Sequence, residues 1–579
     1  MQVRGRGERV NQANDTQAYG PWNPGIQSAV PKGLQHLATI FRPDNVFGSF
    51  TAFTELHDLT GLPPGELAVF RPQRLALHEL LIRVTADFAV PDGPRIEDLG
   101  INFRRIVAVL LSRHLEPQMD VIVAAYGGAR RNLQDSIAAA FREVGADRGW
   151  RPGHAGDCER LAGTGRDPSR NIALRSLARV MSALFATHGC AWGSGDLVIS
   201  LAADLACNDS GSEAIGRAIE PLLLRAARIE GCRLLPRQMR PVVINTKGPS
   251  ASGKSTLRPL QNKLAGDIGV NWSDFALISP DIWRKQLLDY GSLGAAYKYA
   301  GAFTAEELRI IDRKLDRYMA RKHERGDMTH LLIDRFRFDS FAPDSDEAGS
   351  NLLTRFGQTV YLFFVMTPPE SLVERAWKRG LEVGRYKAVD DTLAHALDAY
   401  AGIPDFFFTW VRRRDKRIRF EFLDNTVRLG ERPRTVAFGD NDRLNVLDVR
   451  GMLDIERYGR VNVDASGPQA LYPDRSMLAA AHNTGFLRRC AGKFREVNFV
   501  NQATGRIYLR LESGRGVSMD RAELRSAVRD SDIQSGIEAV APEALRGDVP
   551  DSGAPQYLHG GGDAAQTLGR WGGAGRARV

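Results

Sequence analysis

A three-layer α/β domain with a parallel sheet, preceded by an α-helical domain and followed by a small α+β unit, is the architecture this 579-residue sequence predicts. Three observations carry it. Short apolar runs recur between stretches of helical periodicity: PVVINTK (241–247), FALIS (275–279), HLLIDR (330–335), TVYLFFVM (359–366) and IRFEFLDN (418–425). Runs of that kind are strands buried on both faces, and strands that alternate with helices assemble in parallel. Upstream of residue 236 the apolar residues instead fall three and four apart, and beyond about 475 they alternate singly.

Taken in order, residues 1–35 are polar, rich in Gly, Asn and Gln, and show no apolar face, which predicts a flexible arm. Residues 36–235 read as an α-helical domain through PQRLALHELLIRVTADF, INFRRIVAVLLSRHL, LQDSIAAAFREV, NIALRSLARVMSALFA and EAIGRAIEPLLLRAARIEG. In the first of these, Glu79 and Arg83 stand four apart beside His78 and read as an ordinary surface ion pair. The α/β domain spans 236–465. Within 475–536, FREVNFVNQATGRIYLRLE predicts a hairpin turning at NQATG, and SMDRAELRSAVRDSDI a short helix entered from Ser518 or Asp520. Residues 537–579 are rich in Ala, Gly and Pro and predict a disordered tail. HGGG at 559–562 has no G-x-S-x-G partner nearby and is not read as an oxyanion loop.

The 78 Lys and Arg nearly balance 69 Asp and Glu, leaving a formal charge of +9 that mildly favours anionic partners. No dense basic stripe or stacking platform is present, so a nucleic-acid partner is not expected. Cys158, Cys190, Cys207, Cys232 and Cys490 lie far apart, which excludes a CxxC zinc knuckle and a disulfide scaffold. No apolar run reaches the roughly 20 residues of a membrane helix, and the N-terminus lacks the apolar segment of a secretory signal. A cytoplasmic protein is expected, with export by a route lacking a cleaved signal left open. The helical domain is available to a protein partner.

GPSASGKST, comprising Gly248, Pro249, Ser250, Ala251, Ser252, Gly253, Lys254, Ser255 and Thr256, follows the first predicted strand and precedes a predicted helix. This is the Walker A pattern of the P-loop NTPases and kinases. Its glycines let backbone N–H groups surround phosphates, Lys254 brings charge to the β and γ phosphates, and Ser255 ligates magnesium. ATP or GTP with Mg2+ are the cofactors so implied. Asp334, ending HLLID, is placed to organise the metal with Ser255, and Arg335 beside it to contact substrate phosphate. In ISPDIWRK, Asp281 begins a helix at the carboxyl edge of the sheet, where a carboxylate accepts a hydroxyl proton and orients the attacking oxygen. Arg284, one turn on, is placed to meet an anionic acceptor. In SLVERAWKRGLEVGRYK, Arg375 and Arg379 share a helix face, and Arg385 follows a glycine; together they read as a lid that neutralises charge developing in transfer. Asp424 and Asn425, ending the fifth strand, are assigned to the nucleotide base side.

The order of these elements over residues 240–430 resembles the small P-loop kinases, most closely the zeta-toxin type. The resemblance implies that Asp281 acts as base toward an acceptor hydroxyl and that Arg375 and Arg385 are lid arginines touching phosphates. It also implies a small-molecule acceptor: toxins of that family phosphorylate the amino-sugar part of a UDP-activated sugar, and relatives phosphorylate other small molecules or nucleotides. The sequence therefore predicts a kinase moving the γ-phosphoryl group of ATP or GTP to a small-molecule hydroxyl. A P-loop NTPase switch, whose hydrolysis controls partner binding by the helical domain, is the alternative.

Overall fold

The computed structural model describes residues 19–95, 97–164, 167–335, 352–558 and 566–572. The predicted strands form as β1 (Val242–Lys247), β2 (Phe275–Ile278), β3 (His330–Asp334), β4 (Thr359–Met366) and β5 (Arg417–Asp424). They lie side by side in the order β2-β3-β1-β4-β5, all parallel. Their buried residues divide by the strand period of two. Val243, Val360, Leu362 and Phe364 enter one core with Ile311, Leu315, Phe406 and Phe407 of the helices Ala305–Glu324 and Val389–Val411. Val242, Ile244, Tyr361, Phe363 and Val365 enter another with Leu257 and Leu264 below the phosphate loop. The sheet is thus covered on both faces, as unbroken apolar strands require.

The sheet does not end at β5. β6 (Arg434–Asp440) and β7 (Arg443–Val446) continue it as a hairpin, β8 (Glu496–Val500) joins β7 in parallel, and β9 (Arg506–Glu512) and β10 (Arg515–Met519) follow antiparallel. The expected NQATG hairpin is therefore an extension of the same mixed sheet. Its strands meet the β6–β7 hairpin, whose DND turn at 440–442 is anchored by Asp440 accepting from the Asp442 and Arg443 N–H groups at 2.8 and 2.9 Å.

The described parts of both terminal segments are more ordered than their composition predicts. Lys32–Leu37 forms a 3-10 turn, and Val30, Leu34 and Leu37 pack against Leu288, Leu293 and Phe303. Residues 542–546 are helical, β11 (Gln556–Tyr557) pairs with β9, and Leu568 and Trp571 are buried. The last segment is held by buried Glu421, which accepts from the N–H groups of Leu568 and Gly569 at 2.6 and 2.9 Å. Residues 1–18, 559–565 with the HGGG stretch, and 573–579 lie outside the described residues.

The helical region shares its core with the sheet. Helix Pro72–Asp87 is buried without a break from Leu75 to Ala86, and its Leu80 belongs to the same apolar cluster as Trp283, Ile311 and Phe364. Because this helix is enclosed on all sides, its polar residues need partners inside. Glu307 of helix Ala305–Glu324 accepts from Arg74 Nε at 2.5 Å and from His78 Nε2 at 2.7 Å. Glu79 accepts from Ser212 Oγ at 2.5 Å and pairs with Arg83, which lies over the Tyr318 ring. The Glu79–Arg83 pair is therefore buried, at 4 % exposure for each residue, and not the surface pair its i,i+4 spacing suggested. Among the described residues no helix is long and apolar enough to cross a membrane.

Candidate active site

The phosphate loop leaves β1 at the carboxyl edge of the sheet. Gly248 and Gly253 have φ of 155° and 92°, and Ala251 has φ of 66°. A Cβ on Gly253 would lie 2.3 Å from Asn425 Nδ2, and one on Gly248 2.5 Å from the Val365 carbonyl oxygen, so both positions demand glycine. Lys254–Leu257 is a 3-10 turn, and the α-helix starts only at Arg258. Pro259 explains this: it has no N–H to give the Ser255 carbonyl, which accepts from Arg258 N–H instead. Lys254 Nζ donates to the carbonyls of Gly248 and Pro249 at 3.0 and 2.9 Å, so its ammonium lies over the loop.

The neighbouring strand ends brace this loop. Asn425 Nδ2 donates to the Ser252 carbonyl at 2.7 Å, and Thr367 Oγ1 to the same oxygen at 3.3 Å. Arg375 donates to the carbonyls of Asn425 and Val427 at 2.7 and 3.4 Å. Asp424 accepts from Thr426 and pairs with Arg434. Asn425 thus braces the loop directly, Arg375 holds the segment that carries Asn425, and Asp424 is engaged at the sheet edge. Gly253→Ala is expected to break the Asn425 brace and lower nucleotide affinity by roughly tenfold or more, about 1.4 kcal/mol. Calorimetric titration with ADP checks this, and parental affinity would sink it.

Asp281 follows β2 in the turn Pro280–Trp283. Its carboxylate accepts from Arg284 Nε at 2.9 Å and from Arg385 at 3.0 Å. Desolvation by the surrounding side chains opposes its ionisation although the side chain is 55 % exposed, but the charges of Arg385 and Arg284 outweigh it and hold the carboxyl below the usual carboxylate range. Arg284 is itself fixed by the Gly301 carbonyl and Thr304 hydroxyl at 2.6 and 2.7 Å. Arg379 lies beside Arg385, its Nε 3.4 Å from that residue's carbonyl oxygen. Burial and the like charge of Arg385 pull the Arg379 guanidinium down to about 10.

Lys254 belongs to this group electrostatically. Burial presses its ammonium toward the neutral form, Asp334 and Asp281 oppose that, and Arg379 and Arg385 reinforce it. Lys254, Asp281, Asp334, Arg379 and Arg385 thus come together, and Arg375 stands apart with the loop support. Asp334 ends β3 opposite Thr246 of β1, with Arg258 3.9 Å away.

Arg335 does not reach the site. It is 3 % exposed and is held by Asp312 and by Asp316, the latter at 3.1 Å. Successive strand residues point to opposite faces, so Asp334 and Arg335 cannot serve one site.

Two neighbours escaped sequence reading. Arg258, the first residue of the helix after the 3-10 turn, lies 3.9 Å from Asp334. Lys387, two residues beyond Arg385, is buried against His395 and lies 3.5 Å from Asp391. Burial lowers its ammonium to about 7, against the pull of Asp391. Between pH 7 and the unfolded value near 10.4, the unfolded chain holds a proton there that the folded chain lacks, so folding gains stability as pH rises. Relative to Lys387→Met, the parent's melting temperature is expected to improve from pH 7 to 10. A pH-independent difference would refute this.

No protein-family model and no curated protein sequence matches the chain. Among solved structures, it is similar to a chain of the PezAT chromosomal toxin-antitoxin system of the human pathogen Streptococcus pneumoniae. The likeness is 17 % identical, covers 35 % of this chain and 74 % of that one, and has a TM-score of 0.22.

Proposed function

We propose that this protein is a kinase that moves the γ-phosphoryl group of ATP or GTP to a hydroxyl of a small molecule. The observation that carries this reading is the clamp of Asp281 between Arg284 and Arg385, set within electrostatic reach of Lys254 in a Walker A loop. A carboxylate held at that place can accept a hydrogen bond from an acceptor hydroxyl and orient it. The resemblance of residues 240–430 to zeta-toxin-type kinases points the same way.

The residues fit the groups the reaction needs. The positive-φ loop would hold the β and γ phosphates through backbone N–H groups, and Lys254 would exchange its two loop carbonyls for phosphate oxygens. Ser255 and Asp334 would hold Mg2+, which supplies positive charge against the phosphate oxygens. Asp281 would accept a hydrogen bond from the acceptor hydroxyl and orient its oxygen. In a loose phosphoryl-transfer transition state this orientation matters more than early proton removal. Arg385 is shared: 41 % exposed, it can leave Asp281 for the transferring phosphoryl group. That departure removes a charge holding the carboxyl acidic, so its basicity rises as the lid closes. Arg379 would add charge to the same oxygens.

The switch reading requires hydrolysis to move the helical region. The buried Arg74–Glu307–His78 contacts and the shared core count against such movement.

Incubation with magnesium, γ-labelled ATP or GTP and a small-metabolite extract tests the proposal. Label is expected in a new small molecule; label only as free phosphate would favour the switch.

A further inference from the structure

The carboxyl edge of the sheet carries a second concavity. Where β5, β7 and β8 end, a cleft of about 930 Å³ opens, within the size range of small-molecule sites. Asp424, Asp448, Asp454, Glu523 and Asp530 line it. Arg434 and Arg450 stand at its rim, their side chains 45 % and 58 % exposed, and each pairs with an acid of the wall, Asp424 and Asp530. Asp454 is met by Arg457 at 3.0 Å and Glu523 by Asn501 at 2.6 Å.

Two groups in this cleft are left over. Asp448 caps the helix Val449–Tyr458 by accepting from Gly451 N–H at 3.3 Å, and no cation forms an ion pair with it among the described residues. Tyr508 is 4 % exposed, its hydroxyl senses the charges of Asp448 and Glu523, and it has no hydrogen-bond partner among the described residues. Arg450 acts on Asp448 only through its charge and backbone N–H, so the carboxylate beside that hydroxyl faces the cleft without an ion-pair partner and suits a donor that carries positive charge.

We propose that this cleft binds a small organic ligand bearing a primary ammonium group, anchored by the Asp448 carboxylate and the Tyr508 hydroxyl. The acids are spread around the walls: among the described residues no three His, Cys, Asp or Glu side chains are grouped to hold a metal ion. An extended ammonium compound meets that spread of five acids, which outnumber the lining arginines Arg434, Arg450 and Arg529. The cleft also borders the phosphate loop. Its lining residues Met366 and Asp424 immediately precede Thr367 and Asn425, which both donate to the Ser252 carbonyl. An occupant therefore presses on the loop's support. The inference does not depend on the transfer reaction.

Calorimetric titration of the full chain at physiological salt tests it, with cadaverine and spermidine as probes and 1,5-pentanediol as the uncharged control. Both amines are expected to bind and the diol not to bind. Asp448→Asn keeps a good helix cap, and Tyr508→Phe removes a hydroxyl that bonds to nothing, so both variants are expected to melt with the parent. Each is expected to weaken amine binding at least tenfold, about 1.4 kcal/mol. Three results would overturn the proposal: no heat from either amine, equal binding of the diol, or parental amine affinity in both variants. Loss of ADP binding in Asp448→Asn without any amine binding would assign the cleft to the nucleotide and overturn it as well.

Discussion

Asp281→Asn is expected, if the proposed transfer takes place, to lower it by roughly 10²–10⁴-fold, the range for removing a positioned acid–base group, and to leave nucleotide affinity unchanged. The separation follows from geometry. Asp281 sits in the turn after β2 and, among the described residues, makes no hydrogen bond or ion pair with the phosphate loop; its partners are Arg284 and Arg385. Asparagine keeps one oxygen for Arg284 but presents N–H groups to Arg385, and it cannot orient an acceptor hydroxyl by accepting its proton. Because two guanidiniums hold the parental carboxyl ionised far below neutral pH, the acid limb of the rate profile belongs to another group. Single-turnover transfer with labelled nucleotide, beside ADP titration, checks both halves. Transfer within tenfold of the parent would remove Asp281 from the chemistry, and a matching loss of ADP affinity would make it a structural residue.

The central sheet was legible because β1 to β5 are continuous apolar runs, a signal that needs no tertiary information. The phosphate loop was legible because its glycine spacing states a backbone requirement directly, seen in φ of 155° and 92°. Lys254 was read from the Walker A spacing and Asp281 and Asp334 from their places at strand ends, and both acids lie within electrostatic reach of Lys254. What escaped depends on neighbours far away in sequence. Helical periodicity assumes one buried face, and Pro72–Asp87 is buried on all of them, so its Glu79 and Arg83 read as surface charges. Arg335 was grouped with Asp334 by adjacency, although adjacency on a strand separates side chains to opposite faces. The β6–β7 hairpin carries a readable signal, alternation around Gly439-Asp440-Asn441-Asp442, and its absence from the sequence reading made β8 and β9 look like a separate unit. Only the pairing of β7 with β8 reveals one sheet.

Glu307→Ala is expected to destabilise the protein by about 3–5 kcal/mol, the cost of removing one partner from a buried ion pair. Glu307 is fully buried and receives Arg74 through both oxygens, at 2.5 and 2.7 Å, as well as the His78 ring. Without it the Arg74 guanidinium, 10 % exposed, has no anion, and the His78 N–H loses its acceptor. The proton positions agree with this account. Burial and the Lys314 charge hold His78 down to about 4, so at neutral pH its Nε2–H donates to Glu307 and Nδ1 receives Lys314 Nζ at 3.3 Å. Burial resists the charge on Glu307, yet Arg74 and His78 keep its carboxyl well below the usual range. The pH dependence has a definite sign. The unfolded chain takes up the His78 proton near 6.5 and the folded chain only near 4, so stability falls as pH drops through that window. The Glu307 contribution is whole above its unfolded value near 4.3 and declines below it. Urea unfolding from pH 4 to 8 should therefore show a parental midpoint that drops below pH 6.5, and a Glu307→Ala midpoint far lower at neutral pH. Because the contact joins helix Pro72–Asp87 to helix Ala305–Glu324, the loss should appear in one transition shared by both regions. Two separate transitions in the parent would show that the helical region moves independently, and would return the weight to a nucleotide-driven switch.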